Sequence, residues 1–406
     1  MKKLLSLLLA VLMLITMCAC GEKTPAANDA TEPKINTTAT DADIAQLEAL
    51  YKDRIAYHGD MHNHSDSGGR SDGKTPLKLW PTVVLEPKEI DFAVIVDHKQ
   101  TSHMRLPEWD VTKYVGGSEA ATTILDDHLD QGGMHYNMIF NDWEALEELL
   151  RENEEYNLRD DEENPGNNTF KYAKFSGDRF REIVAQIREK GGFFVQVHPL
   201  FSSYIKSNNP LDYWYGDYTG FEIYTSTSHD YFPDHEAMQK AYKTWVDMLN
   251  LGKIVYATCG SDDHRDSSAH SLSTFYASEQ HADAFLELMR KGDFSAGPVG
   301  IRMAMGDVVT GGQTAFTGKR LVISVGDWHP QAINQPHNKK SEFRLDIYNE
   351  KGLVTSIDLA GTETQYFAID AENCQYYRAE VYDVTNGYWL SVGNPIWNTE
   401  ATATTE

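Results

Sequence analysis

The chain has 406 residues, with 36 Lys and Arg against 61 Asp and Glu, a formal net charge of −25. This acidic excess argues against binding to a nucleic-acid backbone, where Lys and Arg must displace phosphate counterions. Hydrophobic residues at 41% supply ample core, and four cysteines are too few for a disulfide scaffold.

Lys2 and Lys3 precede an apolar run from Leu4 to Met17. A charged start followed by a short apolar stretch is the pattern of a secretory signal and is too short for a comfortable membrane span. The run closes on Met17-Cys18-Ala19-Cys20-Gly21, which resembles the lipobox of bacterial lipoproteins, with Met17 where Leu is usual. The resemblance implies a signal peptide over residues 1–20 and lipidation of Cys20. The folded part is then secreted and lipid-anchored on the outer, extracytoplasmic side of the cytoplasmic membrane. Residues 21–45, rich in Ala, Thr, Asn, Asp and Pro, read as a flexible linker.

From about Ile55 short apolar runs alternate with amphipathic stretches. The pattern predicts strands at 55–61, 92–96, 137–140, 193–197, 221–224 and 254–258, and helices at 142–155, 178–190, 234–251 and 282–291. Such alternation predicts a parallel α/β layer whose functional residues sit at the C-terminal strand ends. Residues 150–176, acidic at Glu152, Glu154, Glu155 and 160–163, read as an insertion, either a solvated loop or a lid. Beyond Gly300 the helical pattern stops, and β-rich runs at 321–325, 343–348, 376–382 and 388–392 predict a small β-sandwich over 301–398, with a frayed tail at 399–406.

His62, His64, His98, His198 and His264 each end or follow a predicted strand, and His135 adjoins one. The H-x-H spacing of His62 and His64 on extended backbone turns both imidazoles to one face with Cα atoms about 7 Å apart, which suits two ligands of one cation. Asp72, in Ser71-Asp72-Gly73, is either a carboxylate folding back over that strand end or a turn former. The run at 92–96 leads into Asp97-His98, that at 193–197 into His198-Pro199, and that at 254–258 into Asp262 and His264, two residues apart. Four strand ends carrying His and Asp point to a metal centre. His58, His103, His128, His229 and His270 read as structural or exposed, and Cys259 as strand packing. The aromatic segment Tyr213, Trp214, Tyr215, Tyr218, Phe221, Tyr224, Tyr231 and Phe232 either lines a pocket or packs between the two halves.

The ordered motifs His62-x-His64 with Ser71-Asp72-Gly73, Asp97-His98, His198-Pro199 and Gly260-Ser261-Asp262-Asp263-His264 resemble those of the PHP (polymerase and histidinol phosphatase) metallohydrolases, over about 57–298. Gly116-Gly117-Ser118-Glu119 and Gly133-Met134-His135-Tyr136-Asn137 are similar to that family's bridging carboxylate and remaining histidine. The resemblance implies an α/β fold, a distorted (β/α)7 PHP-type barrel over 46–300 followed by the small C-terminal β-sandwich. It further implies two or three divalent ions, Mn²⁺ or Zn²⁺ with Fe²⁺ also suited to the ligands. One ion is assigned to His62, His64, Glu119 and Asp262, a second to Glu119, His135 and His198, and a third to Asp72, His98 and His264. The implied reaction is phosphoester hydrolysis of a small-molecule substrate by a metal-bridging hydroxide. Arg70, Lys99 and Arg265 adjoin the ligand motifs and either hold phosphate oxygens or are surface charges. Asp97 either orients a ligand histidine or acts as the general acid. The alternatives are a carboxylic or carbamate ester hydrolase on the same metal site and a non-catalytic binding protein at the cell surface.

Overall fold

The first helix among the described residues, α1 (Asp41–Leu50), is started by a capping box: the Thr40 hydroxyl accepts from the Asp43 N–H at 3.2 Å, and the Asp43 carboxylate accepts from the Thr40 N–H at 2.8 Å. The computed structural model describes residues 35–125, 133–153, 173–200, 207–225, 236–265, 271–334 and 341–401. The expected signal peptide, Cys20, the linker up to residue 34, residues 154–172 of the acidic insertion, His128, His229, His270, Tyr231, Phe232 and the last five residues lie outside them. Residues 36–45, linker-like by composition, are held to the C-terminal half: Thr38 bridges Phe367, Asp43 pairs with Arg320, and Glu48 of α1 pairs with Arg302 at 2.7 Å. A composition rich in Asp and Thr reads as unstructured by itself, and only the distant arginines give those side chains partners. From Asn36 onward the chain packs as one compact unit.

The N-terminal strands are β1 (Ile55–Asn63), β2 (Phe92–Ile95), β3 (Tyr114–Val115), β4 (Gly117–Leu125), β5 (Gly133–Ile139), β6 (Ala173–Ser176), β7 (Phe193–Val197), β8 (Thr219–Thr225) and β9 (Val255–Gly260). Helices α2 (Trp143–Glu152), α3 (Gly177–Glu189), α4 (Glu236–Asn250) and α5 (Ala282–Lys291) alternate with them. In α3 the buried Phe180, Ile183, Val184 and Ile187 recur at helical spacing and turn one face to the core.

The layer is mixed rather than wholly parallel. β1, β2 and β3 pair parallel, as do β7, β8 and β9, but β4 and β5 pair antiparallel and β5 runs antiparallel to β7. β4 escapes a search for apolar runs because it carries Ser118, Glu119, Thr122 and Thr123, and β5, expected only from residue 137, starts earlier and includes His135. A six-stranded sheet in the order β6-β4-β5-β7-β8-β9 meets the sheet of β1–β3 at two places. Past the end of β9, the Asp262 N–H donates to the His62 carbonyl at 2.8 Å and the His64 N–H to the Asp263 carbonyl at 2.9 Å. Past the end of β2, the Glu119 N–H donates to the Val96 carbonyl at 3.0 Å and the Lys99 N–H to the Glu119 carbonyl at 2.8 Å.

The later strands are β10 (Ser273–Ala277), β11 (Phe294–Ala296), β12 (Val299–Met305), β13 (Val308–Val309), β14 (Gln313–Thr314), β15 (Arg320–Trp328), β16 (Phe343–Asn349), β17 (Gly352–Asp358), β18 (Gln365–Asp370), β19 (Tyr376–Asp383), β20 (Tyr388–Gly393) and β21 (Ile396–Asn398). β13, β12, β15 and β18 form one four-stranded sheet. β16, β17, β19 and β20 continue the sheet of β1, because β20 pairs with β11, β11 with β10, and β10 with β1. The sheet of β1 therefore contains strands from both sides of the change of texture at Gly300. Among the described residues no helix is long and apolar enough to cross a membrane.

Candidate metal centre

Two glycines let the ligand-bearing backbones approach. A Cβ on Gly260, the last residue of β9, would stand 2.3 Å from the His62 Cβ and 2.7 Å from the Glu222 carboxylate. A Cβ on Gly73 would stand 2.3 Å from the Ser65 carbonyl, so only glycine lets the loop bearing Asp72 fold back over the end of β1. Non-glycine residues adopt left-handed backbone at three strand exits, Lys99 (φ 50°), His198 (φ 31°) and Asp262 (φ 52°). Strain of this kind is sustained only where surrounding contacts over-determine it.

Glu119 lies at the centre and is fully buried. Its Oε2 is 3.0 Å from His64 Nε2, 3.3 Å from His62 Nε2 and 3.4 Å from His98 Nδ1, and its Oε1 is 2.7 Å from His135 Nδ1 and 3.4 Å from His198 Nε2. Asp262 faces the same group, 3.2 Å from His64, 3.4 Å from His62 and 3.8 Å from His198. Asp72 reaches His264 Nε2 at 3.2 Å and His98 Nε2 at 3.4 Å. The ligand atoms fall into two groups, each within 4.8 Å of one another: His62, Glu119, His198 and Asp262, and His64, Asp72, His98 and His264. Each group can hold a metal ion. His64 groups with Asp72, His98 and His264 while staying within hydrogen-bonding distance of Glu119 and Asp262, so it stands between the two groups. His135 stands beside them on Glu119. All nine ligands expected from the sequence are thus brought together.

Burial works against every charge here, and the neighbours decide the outcome. It would raise the Glu119 carboxyl, but His98 and His135 hold it well below the usual carboxylate range. Asp262 is lowered against its burial by His62, His64 and His198, and Asp72 by His264 and His98. Burial pulls His64 down, yet Asp262 and Glu119 push it up to about 10, and Asp262 and Glu222 raise His62 likewise. Three anionic carboxylates among six imidazoles are a donor set for a borderline divalent cation, which replaces the imidazole protons when it binds.

Glu222, on β8, is a functional residue absent from the sequence reading. Its Oε1 lies 3.1 Å from His62 Nδ1, and its Oε2 accepts the His198 N–H at 2.7 Å. A carboxylate on Nδ1 leaves Nε2 of His62 directed at Glu119 and Asp262, the relay by which outer carboxylates orient metal-binding histidines. The signal in the sequence was slight, a single Glu inside the otherwise apolar-leaning Phe221-Glu222-Ile223.

The expected catalytic residues are placed differently. The Asp97 carboxylate is engaged by the Ser65 N–H at 2.6 Å, the Ser65 hydroxyl at 2.7 Å, the Ser67 hydroxyl, and His103 Nδ1 at 3.1 Å. It braces the loop after His64, a different task from orienting a ligand imidazole or donating a proton to substrate, and His103 is buried as its partner. Arg70 and Arg265 are exposed on the loops that carry Asp72 and His264, and Lys99 is half-buried next to His98. The aromatic residues from Tyr213 to Tyr218 precede β8. Lys253 covers Trp214 at 4.0 Å and Arg188 covers Tyr218 at 4.1 Å, and Tyr224 contacts Trp389 of β20, so these described residues pack against neighbouring side chains.

Comparison with known protein families and with curated proteins finds no match to this chain.

Proposed function

We propose that the chain is a metal-dependent hydrolase of the PHP type, acting on a small phosphoester outside the cytoplasmic membrane, to which Cys20 anchors it by lipid. The carrying observation is Glu119, a fully buried carboxylate with five imidazoles within 3.4 Å, its two oxygens serving different histidines. A carboxylate so placed can bridge two adjacent cations. The barrel reading is supported by the order β1, β2, β4, β5, β7, β8, β9 and by the hydrogen bonds that join β2 to β4 and β9 to β1 at the ligand level. β12, β15 and β18 facing β16, β19 and β20 would be the sandwich.

His62, His198, Asp262 and Glu119 would hold one ion and His64, Asp72, His98 and His264 another, with His135 adding to the Glu119 side. Mn²⁺ and Zn²⁺ fit the donors, and Fe²⁺ is suited by the same set. Bound ions of this kind activate water at neutral pH and neutralise charge on ester oxygens. Glu222 holds the His62 imidazole in its binding tautomer, Asp97 braces the His64 loop, and the sheet around Glu119 excludes bulk water. Arg70 and Arg265 stand at the rim, where a guanidinium can hold non-bridging phosphate oxygens.

A second reading, hydrolysis of a carboxylic or carbamate ester, is favoured by the exposure of Arg70 and Arg265, which leaves the ligand cluster without an inward guanidinium from either loop. The test is metal content per chain by elemental mass spectrometry, for wild type, His64→Ala and Glu119→Ala, followed by a phosphoester and carboxylester screen. Two or three bound transition ions, reduced in both variants, and turnover lost with them are expected. Phosphoester turnover should fall on Arg70→Ala or Arg265→Ala, and ester turnover should not. No bound ion after reconstitution with Mn²⁺ and Zn²⁺ would refute the hydrolase and leave a surface binding protein.

A further inference from the structure

Lys88 is 3% exposed, and no metal ligand touches it. Its ammonium donates to Asp263 Oδ2 at 2.8 Å and stands 3.5 Å from Asp60 Oδ2. Both carboxylates are buried, and both belong to the backbone that carries ligands. Asp60 accepts the Ser261 N–H at 2.9 Å, the Ser261 hydroxyl and the His62 N–H at 3.2 Å. Asp263 accepts the Arg265 N–H at 2.8 Å on its other oxygen.

Asp263 separates Asp262 from His264, and those two neighbours belong to different ligand groups. Asp262 faces His62 and His198 of its own group and His64 of the other, and His264 faces Asp72 while lying 3.6 Å from Asp262. The Asp263 side chain leaves the loop towards Lys88, so the ammonium grips the residue that joins Asp262 of one group to His264 of the other along the chain. The segment that presents Lys88 is itself fixed from the C-terminal half. Gln331 Nε2 donates to the Lys88 carbonyl at 3.1 Å, and His329 Nε2 lies 3.0 Å from the Glu89 carbonyl, where Glu89 adopts φ 55°.

Burying an ammonium is costly, and an apolar side chain of similar size often serves stability as well, so retention of a buried pair needs another explanation. We infer that Lys88 is a positioning residue of the metal centre: through Asp263 it fixes the separation of the two ion sites, and the C-terminal half contributes to the site by seating Lys88. The inference rests on the metal-centre reading above.

The test uses the full chain as Lys88→Met/Asp263→Asn, which removes the closer ion pair together and leaves Asp60 its Ser261 and His62 donors, beside Lys88→Arg and wild type. Each is loaded with Co²⁺, and the readouts are ion stoichiometry, dissociation constants from chelator competition, the visible absorption spectrum and magnetic coupling between the two ions. The double variant is expected to keep the wild-type far-ultraviolet circular dichroism while at least one ion binds roughly tenfold or more weakly, the magnitude usual for outer-sphere changes. Its coupling should be lost, and Lys88→Arg should restore part of it. Wild-type affinities, spectrum and coupling in a folded double variant would overturn the proposal, since a merely structural lysine would move only the melting temperature. If the double variant fails to fold, Lys88→Arg decides: unchanged coupling despite a displaced cation overturns the proposal, and altered coupling in a folded protein supports it. Failure of wild type to bind Co²⁺ at all would instead refute the metal-centre reading.

Discussion

Replacing Glu222 by Gln changes one charge and almost no volume, in a position that touches two ligands at once. The carboxylate accepts the His198 N–H at 2.7 Å and faces His62 Nδ1 at 3.1 Å. A glutamine carbonyl can keep one of these acceptances, while its amide end cannot accept the Nδ1 proton that the binding tautomer of His62 requires. A charge-assisted hydrogen bond contributes about 1.5–3 kcal/mol, which corresponds to roughly 10–150-fold in ion affinity. The metal-free fold should suffer little, because burial already disfavours the Glu222 charge and raises its carboxyl. The assay is Zn²⁺ and Mn²⁺ affinity by chelator competition, beside urea unfolding of the chelated protein. Weaker binding at preserved apo stability is expected. Wild-type affinity in Glu222→Gln would refute the orienting role, and equal losses of affinity and apo stability would reduce it to packing.

Gly260→Ala places a Cβ 2.3 Å from that of His62; it should cost about 1–3 kcal/mol by overpacking and lower metal content, read by thermal melting and elemental analysis. Because Asp262 and Glu119 push His64 up to about 10, the metal-free site holds imidazole protons at neutral pH. Ion affinity should therefore rise by roughly tenfold per pH unit for each proton displaced, and isothermal titration in buffers of different ionisation enthalpy should detect proton release. Burial and the neighbouring His329 push His58 down from 6.5 to about 3. The folded state thus favours the neutral ring, and its contribution is full above 6.5 and lost as pH falls towards 3. Near pH 5 that loss approaches about 2 kcal/mol, so the urea midpoint of the chelated protein should fall less on acidification in His58→Gln than in wild type. Equal slopes in the two proteins would refute it.

His64, His98, His198, Asp262 and His264 were legible because each follows a strand in a short, ordered motif, whereas Glu119 and His135 lie inside β4 and β5 and were assigned as ligands only through the family resemblance. Polar residues following buried apolar runs such as Phe92-Ala93-Val94-Ile95 stand out against them, and period-two geometry turns His62 and His64 to one side. Strands β7 and β2 and helix α5 are continuous runs with the right periods, and they lie within a residue of expectation. β4, β6 and β10 were not legible, since short polar or mixed strands owe their pairing to neighbours rather than to pattern.

The amino-acid sequence by itself determined which side chains could bind a cation and which backbone exits would present them, because ligand chemistry and strand period are local properties. The tertiary structure decided the roles. It turned Asp97 towards Ser65, Ser67 and His103, gave Glu222 to His62 and His198, seated Lys88 between Asp60 and Asp263, and continued the sheet of β1 through β11 into the C-terminal strand β20. Apart from Asp97 with His103, each of these is a contact between residues far apart in the chain; the charges among them stay buried because a partner offsets the cost of burial, and no spacing in the sequence encodes which partner that will be.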